Sequence, residues 1–421
     1  MKSNSKLSLE TKAVHGAFNP EEHNYAIKMP LYACSTFKFP DAQTAKAYFE
    51  IAYGLDTASK DTDMGMIYSR IDNPNLSVFE KRMAMLDNTE ASAVFASGMA
   101  AIASTLLSFL RPGQTVLYSQ PIYGGTHHFI TAVLKEYGIH AVGFSPSDDF
   151  DTIQNNLAGA LPSVIILENP ANPTNAVFDL SIPRRFKEYN PECVVIVDNT
   201  YMGPVWSRPL EKGADLVLYS ATKFIGGHSD LLAGVVSGSA EHIAQIKAMR
   251  SMLGTMASPE ICAKLLRSLE TLSLRMERQM FNAQKIAAYL HAHASVDKLI
   301  YPGIEEEINP GWDQFSGTGT MISFYIKGGE NEAFEFLDQL HIFQLAVSLG
   351  STESLAQHPA TMTHAAVPAE LKAEMGISSA LIRLSVGVEN FKDLIEDLDQ
   401  AFKVMLTNEK TEHVEPEALL V

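Results

Sequence analysis

LYSATKFIGGHSD, residues 218–230, sets one lysine, Lys223, after an apolar run and between two hydroxyl residues, Ser220 and Thr222, and two glycines. The ordinary reading is a solvated loop lysine behind a strand. The alternative is an amine held at a strand end to form a Schiff base with a carbonyl group, with Ser220 and Thr222 binding an anion beside it. That chemistry needs a partly desolvated lysine, whose lowered pKa populates the neutral nucleophile. The surrounding chain has to decide between the two.

Outward from this stretch, short β-branched runs at 115–119, 163–168, 194–198, 215–219 and 234–237 alternate with helical patterns such as 75–86 and 124–137. Such alternation predicts an α/β fold with a mostly parallel, doubly wound sheet. Ligands of that architecture bind beyond the carboxyl ends of the strands, where both Asp198 and Lys223 fall. A helical region at 259–294 then leads to a smaller C-terminal α+β domain, with strands at 319–326 and 381–386 flanking the loop SLGSTESLAQHPATMTH, residues 348–364. Breakers at Pro20, Pro30, Pro40 and Gly54 make the start of the chain an irregular arm, and the tail after Val404 is acidic. The expected division is an arm over 1–66, an α/β domain over 67–258, and a linking helix with the C-terminal domain over 259–421.

A chain of 421 residues is too long for one growing core, which supports one large and one smaller domain. A net charge of −17 argues against nucleic acid or an anionic membrane as partner, since both require a basic face. Cys34, Cys193 and Cys262 are too few and too scattered for a disulfide framework or a zinc site, so no metal is expected and a reducing cytoplasm fits. The N-terminal stretch has no apolar signal region. Residues 91–110, ASAVFASGMAAIASTLLSFL, are uncharged and long enough to span a bilayer, but their Ala, Ser and Gly content reads as a short strand, a turn and a buried helix.

Four features converge on one cofactor. In FASGMAAI, residues 95–102, Ser97, Gly98 and Met99 fall at a strand-to-helix turn, where free N–H groups attract an anion. VVIVDNTY, residues 194–201, ends a buried strand in Asp198, a carboxylate able to pair with a protonated pyridine nitrogen. PIYGGTHH, residues 121–128, puts Tyr123 in a glycine-rich loop, where its ring can stack on a flat heterocycle. Lys223, with Ser220 and Thr222, completes the set. A phosphate-bearing aromatic aldehyde held by a lysine imine, with an aspartate on its pyridine nitrogen, is pyridoxal 5′-phosphate (PLP). A nicotinamide site is not indicated: FIGGHSDLLAG is not G-x-G-x-x-G and does not open the first βαβ unit.

YSRIDNPN (68–75), ASGMAAI (96–102), YGGT (123–126), VDNTY (197–201), SATKFIGGHSD, the 348–364 loop and IRLSVGVE (382–389) occur in an order that resembles the Cys/Met-metabolism family of PLP enzymes. The likeness runs from about residue 11 to about residue 402. It implies PLP fold type I and a homotetramer, built as a dimer of dimers, with shared active sites. It also implies an amino-acid substrate. Residue by residue, it implies the Schiff base on Lys223, Asp198 on the pyridine nitrogen and Tyr123 over the ring. The phosphate would lie on Gly98, Met99, Ser220 and Thr222, with Tyr68 and Arg70 contributed by the neighbouring subunit. The substrate α-carboxylate would meet Arg383, helped by Ser348. His228 reads as structural.

Within that family, members that process cystathionine tend to carry glutamate where this chain has Val347, and the LAVSLG…QHPATMTH stretch looks like methionine γ-lyase. Gly125 stands where methionine γ-lyases usually have cysteine. The expectation is a γ-elimination on methionine or a close homocysteine derivative. The alternatives are γ-replacement on O-acylhomoserine and cystathionine γ-lyase activity; with every chemical position filled, a non-catalytic PLP-binding protein is a weak reading, and a nicotinamide-dependent dehydrogenase a weaker one.

Overall fold

VVIVD and LVLY have no polar face, and strands of that kind are stable only when covered on both sides. The computed structural model, which describes residues 7–52, 65–302, 304, 311–365 and 367–412, buries them so. The large sheet has seven strands in the order β1-β7-β6-β5-β4-β2-β3. These are β1 (Ala91–Phe95), β2 (Thr115–Ser119), β3 (His140–Phe144), β4 (Pro162–Glu168), β5 (Val194–Asp198), β6 (Leu216–Tyr219) and β7 (Gly234–Gly238). Only β7 runs against its neighbours, β1 and β6. The remaining pairs are parallel. The mostly parallel, doubly wound sheet expected from the alternation is therefore present.

Alternate residues of one strand feed opposite layers. Val217 packs with Phe79 and Leu265 under the helices Pro74–Asp87 and Pro259–Leu269. Leu216 and Leu218 pack with Ile102 and Ile243, from the helices Gly98–Phe109 and Ala240–Leu253, on the other face. Since β2, β4, β5 and β6 are parallel, their last residues Ser119, Glu168, Asp198 and Tyr219 share one edge. Glu168 is the register partner of Asp198.

The second sheet has the order β10-β11-β12-β9-β8. Its strands are β8 (Val296–Ile300), β9 (Met321–Ile326), β10 (Gln344–Leu345), β11 (Leu355–Gln357) and β12 (Leu381–Ser385). Phe324, Phe336 and Phe402 join it to the helices Glu330–Asp338 and Phe391–Glu412 in one apolar cluster.

The helical region at 259–294 is two helices, Pro259–Leu269 and Leu272–His291. The break has a local cause: the Ser268 carbonyl accepts from Arg275 Nη2 (3.0 Å) and Thr271 Oγ1 (3.3 Å), side-chain donors that compete with the helical N–H. The pattern at 124–137 opens as the helix Gly124–His128 and widens into a π-helical stretch, Phe129–Leu134. Strands β3, β8, β10 and β11 had not been expected. β3 and β8 are sheet edges with exposed residues, and β10 and β11 are two and three residues long, so none carries a usable apolar period. Residues 91–110 divide into β1 and the helix Gly98–Phe109 as expected, and no helix among the described residues is long and apolar enough to cross a membrane. The arm read as irregular contains two short helices, Leu9–His15 and Ala42–Ala52. Gly54 and the tail beyond residue 412 lie outside the described residues.

Candidate active site

At the shared carboxyl edge a cleft of about 590 Å³ opens between the large sheet and the loop that precedes β11. Eleven of the thirteen residues that the sequence assigns to the cofactor or the substrate line it: Gly98, Met99, Tyr123, Gly125, Asp198, Ser220, Thr222, Lys223, Val347, Ser348 and Arg383. Tyr68 and Arg70 do not. Arg70 Nη1 instead donates to the Ser251 carbonyl at 2.6 Å, and Tyr68 is half-exposed outside the cleft. His228 is also outside; its Nδ1 donates to the Gly226 carbonyl at 2.7 Å.

Lys223 stands four residues beyond β6, and its Nζ donates to Ser348 Oγ at 2.8 Å. Burial, with the Arg383 charge second, lowers its amine to about 8. This is not a solvated loop lysine. Asp198 is buried at the end of β5, where Oδ1 accepts from the Thr200 N–H (3.1 Å) and Thr200 Oγ1 (2.5 Å). Among the described residues no donor is bonded to Oδ2. Beside it, Glu168 ends β4 in the same manner. Burial pushes both carboxyls above their ordinary range, and the Asp198 charge raises Glu168 further.

The helix Gly98–Phe109 is capped by Ser97, whose Oγ accepts from the Ala100 N–H at 3.0 Å. Its first intrahelical bond is made by Ala101 N, which leaves the Gly98 and Met99 N–H groups without an intrahelical partner. Gly98 is required here: a Cβ would meet Ser220 Oγ and Cβ at 2.9 Å. The helix start thus lies directly against the end of β6. Thr222 Oγ1 is held between the main-chain N–H (3.0 Å) and C=O (3.2 Å) of Ala233.

Arg383, on β12, is buried and donates from Nη1 to Asn172 Oδ1 (3.0 Å) and from Nη2 to the Ser348 carbonyl (2.5 Å). Among the described residues its buried Nε makes no hydrogen bond and no carboxylate forms an ion pair with it. A buried guanidinium of that kind is a seat for an incoming anion. Ser348 holds φ +93°, a left-handed backbone rarely adopted by a residue with a side chain. Tyr123 precedes the helix Gly124–His128 and leaves its ring half-exposed over the cleft.

Glu168, Asn172, Thr200, Tyr201 and Thr363 also line the cleft and were not singled out in the sequence. Glu168 had a usable signal, since it ends a strand already expected at 163–168. The other four come from loops; Thr200 and Tyr201 fall within VDNTY and Thr363 within the 348–364 loop, but no periodicity marks their side chains as cleft-facing.

These residues fit PLP. The unpaired helix N–H groups suit a phosphate, the carboxylate with a free oxygen suits a protonated ring nitrogen, and the lowered lysine amine suits an aldehyde. The fold and the site define a PLP-dependent α/β enzyme of fold type I. The sequence pattern of the Cys/Met metabolism PLP-dependent enzymes matches residues 10–403, and the chain belongs to that family. It is 40% identical over 407 residues to an L-methionine gamma-lyase of Pseudomonas putida, covering 95% of this chain and 98% of that protein. It is 37% identical to a cystathionine gamma-lyase of Bacillus subtilis, covering 94% and 100%. A crystal structure of cystathionine gamma synthase from Xanthomonas oryzae pv. oryzae, in complex with aminoacrylate and cysteine, superposes with a TM-score of 0.85 at 32% identity, covering 95% and 99%.

Proposed function

We propose that the protein is a carbon–sulfur lyase that removes the γ-substituent of a sulfur amino acid, converting L-methionine and water to methanethiol, 2-oxobutanoate and ammonia. The observation that carries this reading is the chemistry around Val347. The cleft-lining acids among the described residues are Glu168 and Asp198, both buried at the ring end. The cleft lining also includes Val347, which suits a short thioether and offers no partner to a distal ammonium.

PLP would be held through its phosphate by Gly98, Met99, Ser220 and Thr222, through its ring by Tyr123 and Asp198, and through its aldehyde by Lys223. PLP supplies an electron sink for the substrate's α- and β-carbons. Asp198 keeps a proton on the pyridine nitrogen. Lys223, with its amine near 8, moves the α and β protons. Arg383, helped by Ser348, fixes the substrate α-carboxylate, and Tyr123 is the acid or base beside the departing γ-group. Water completes an elimination.

A second reading, γ-replacement on O-acylhomoserine, is favoured by Gly125, which puts no thiol in the cleft beside Tyr123. There a thiol takes the place of water in the last step. We read the working form as a homotetramer in the cytoplasm, a dimer of dimers in which Tyr68 and Arg70 reach the phosphate of a second copy. Their place outside their own cleft supports this, as do the exposed Tyr25, Ile27 and Leu31 of the arm. Incubation with methionine, cystathionine, cysteine, and O-acetylhomoserine plus sulfide tests the reading, with 2-oxobutanoate, methanethiol and homocysteine assayed. Methanethiol and 2-oxobutanoate from methionine support it, whereas homocysteine from O-acetylhomoserine and sulfide without elimination from methionine overturns it.

A further inference from the structure

Glu168 is 4% exposed, ends β4 and is register partner to the equally deep Asp198. Among the described residues no lysine or arginine forms an ion pair with it. A second carboxyl next to the one that faces the ring nitrogen is costly to bury, so a chain retains it only for a use.

Its bonds indicate that use. Oε2 accepts from the Tyr123 N–H at 2.6 Å, and Oε1 accepts from the Asn172 N–H at 3.2 Å. Asn172 in turn accepts from Arg383 Nη1 at 3.0 Å. Arg383 Nη2 donates to the Ser348 carbonyl, and Ser348 Oγ accepts from Lys223 Nζ. One unbroken chain of bonds therefore runs from Tyr123 through Glu168 to Arg383 and on to Lys223.

We infer that Glu168 is a positioning residue: one carboxyl group sets the main chain under Tyr123 and, through Asn172, the Arg383 guanidinium. The ring-stacking side and the carboxylate-binding side of the site are thereby fixed relative to each other. Both oxygens are used as acceptors from main-chain N–H groups. Gln has the same shape but only one acceptor oxygen, so its NH₂ would face an N–H and one arm must release. Asp keeps the carboxylate but is one methylene short, so it too keeps a single arm.

The inference rests on the roles proposed above for Tyr123 and Arg383, which Tyr123→Ala and Arg383→Lys test by themselves. The experiment compares Glu168→Gln, Glu168→Asp and Asn172→Ala with the parent. It reads thermal unfolding, the PLP dissociation constant of the apo protein, the visible circular dichroism of bound PLP, and KM and kcat for the parent's best substrate. Asn172→Ala cuts only the Arg383 arm: KM rises about tenfold or more, the factor a charge-assisted bond carries, and the dichroism stays as in the parent. Glu168→Gln and Glu168→Asp change the visible dichroism and KM together while unfolding midpoints stay near the parent's. Combined with Asn172→Ala, Glu168→Gln adds less to KM than it does alone, because both act on one arm. Parent-like dichroism and KM in Glu168→Gln overturns the inference. So does loss of the fold in both Glu168 variants, which would make the residue part of the core. If Tyr123→Ala and Arg383→Lys themselves leave dichroism and KM unchanged, the assigned roles fail instead.

Discussion

Lys223 and Ser348 are 125 positions apart, yet Lys223 Nζ donates to Ser348 Oγ at 2.8 Å. The lysine leaves the large sheet after β6, and the serine precedes β11 of the small one. The bond therefore ties the large sheet to the small one at the Lys223 amine. It also gives the left-handed backbone of Ser348 a purpose: φ +93° brings its hydroxyl and its carbonyl to Lys223 and Arg383 at once.

The amine's lowered pKa gives a pH prediction. A lysine brought down to about 8 is mostly charged below that pH and mostly neutral above it. Only the neutral amine attacks an aldehyde. The rate at which apo protein takes up PLP is thus expected to rise about tenfold per pH unit up to about 8 and then level off. Stopped-flow absorbance at limiting PLP checks this. A rate still climbing steeply at pH 10 would mean an ordinary solvated lysine.

Lys223→Ala is expected to abolish turnover while leaving the fold intact, because the side chain lines a cleft rather than filling a core. In the parent, borohydride reduction followed by peptide mapping should put the pyridoxyl label on Lys223. A label on another lysine would remove the assignment.

Shared sites can be tested by complementation. Arg70→Ala and Lys223→Ala subunits, each inactive, are mixed under conditions that allow exchange. In a mixed pair, one site receives an intact lysine from one subunit and an intact arginine from the other, so part of the activity should return. If mixed oligomers form, as native mass spectrometry would show, and no activity returns, Arg70 serves its own chain.

The parts of this architecture visible in the sequence were those with a period or a punctuating residue. Apolar runs ending in Asp198 and in the Ser-Ala-Thr-Lys segment placed both residues at the carboxyl edge before any coordinates, because a parallel sheet puts all such ends together. Glu168 obeyed the same rule but had no distinctive neighbour, and a lone carboxylate at a strand end reads as a cap. Asn172 reaches the cleft from an irregular loop, and Tyr201 and Thr363 from quoted segments whose lack of periodicity hides which side chains face the cleft. The edge strands β3 and β8 were hidden because solvent on one side relaxes their need for apolar residues.

Val347 and Gly125 decide between the candidate activities. Val347 is 55% exposed and lines the cleft one residue before Ser348, so its side chain is available to a substrate bound as proposed above. An unpartnered ammonium entering that region loses roughly a few kcal/mol of hydration, so cystathionine should be a poorer substrate than methionine. Val347→Glu supplies the missing partner and should move preference toward cystathionine by about tenfold, since about 1.4 kcal/mol is one decade. Gly125 acts through its neighbours. A Cβ there would lie 2.6 Å from Tyr123 Cε1 and 3.0 Å from Met99 Sδ, so the tyrosine ring now occupies the space a side chain would take. Gly125→Cys must therefore push the half-exposed ring aside, narrowing the cleft around a thioether and favouring elimination from methionine over replacement. Specificity constants for methionine, cystathionine and O-acetylhomoserine in the parent and both variants check these outcomes. A parent that strongly prefers cystathionine would defeat the valine argument, because the ammonium would then have a partner that Val347 does not provide.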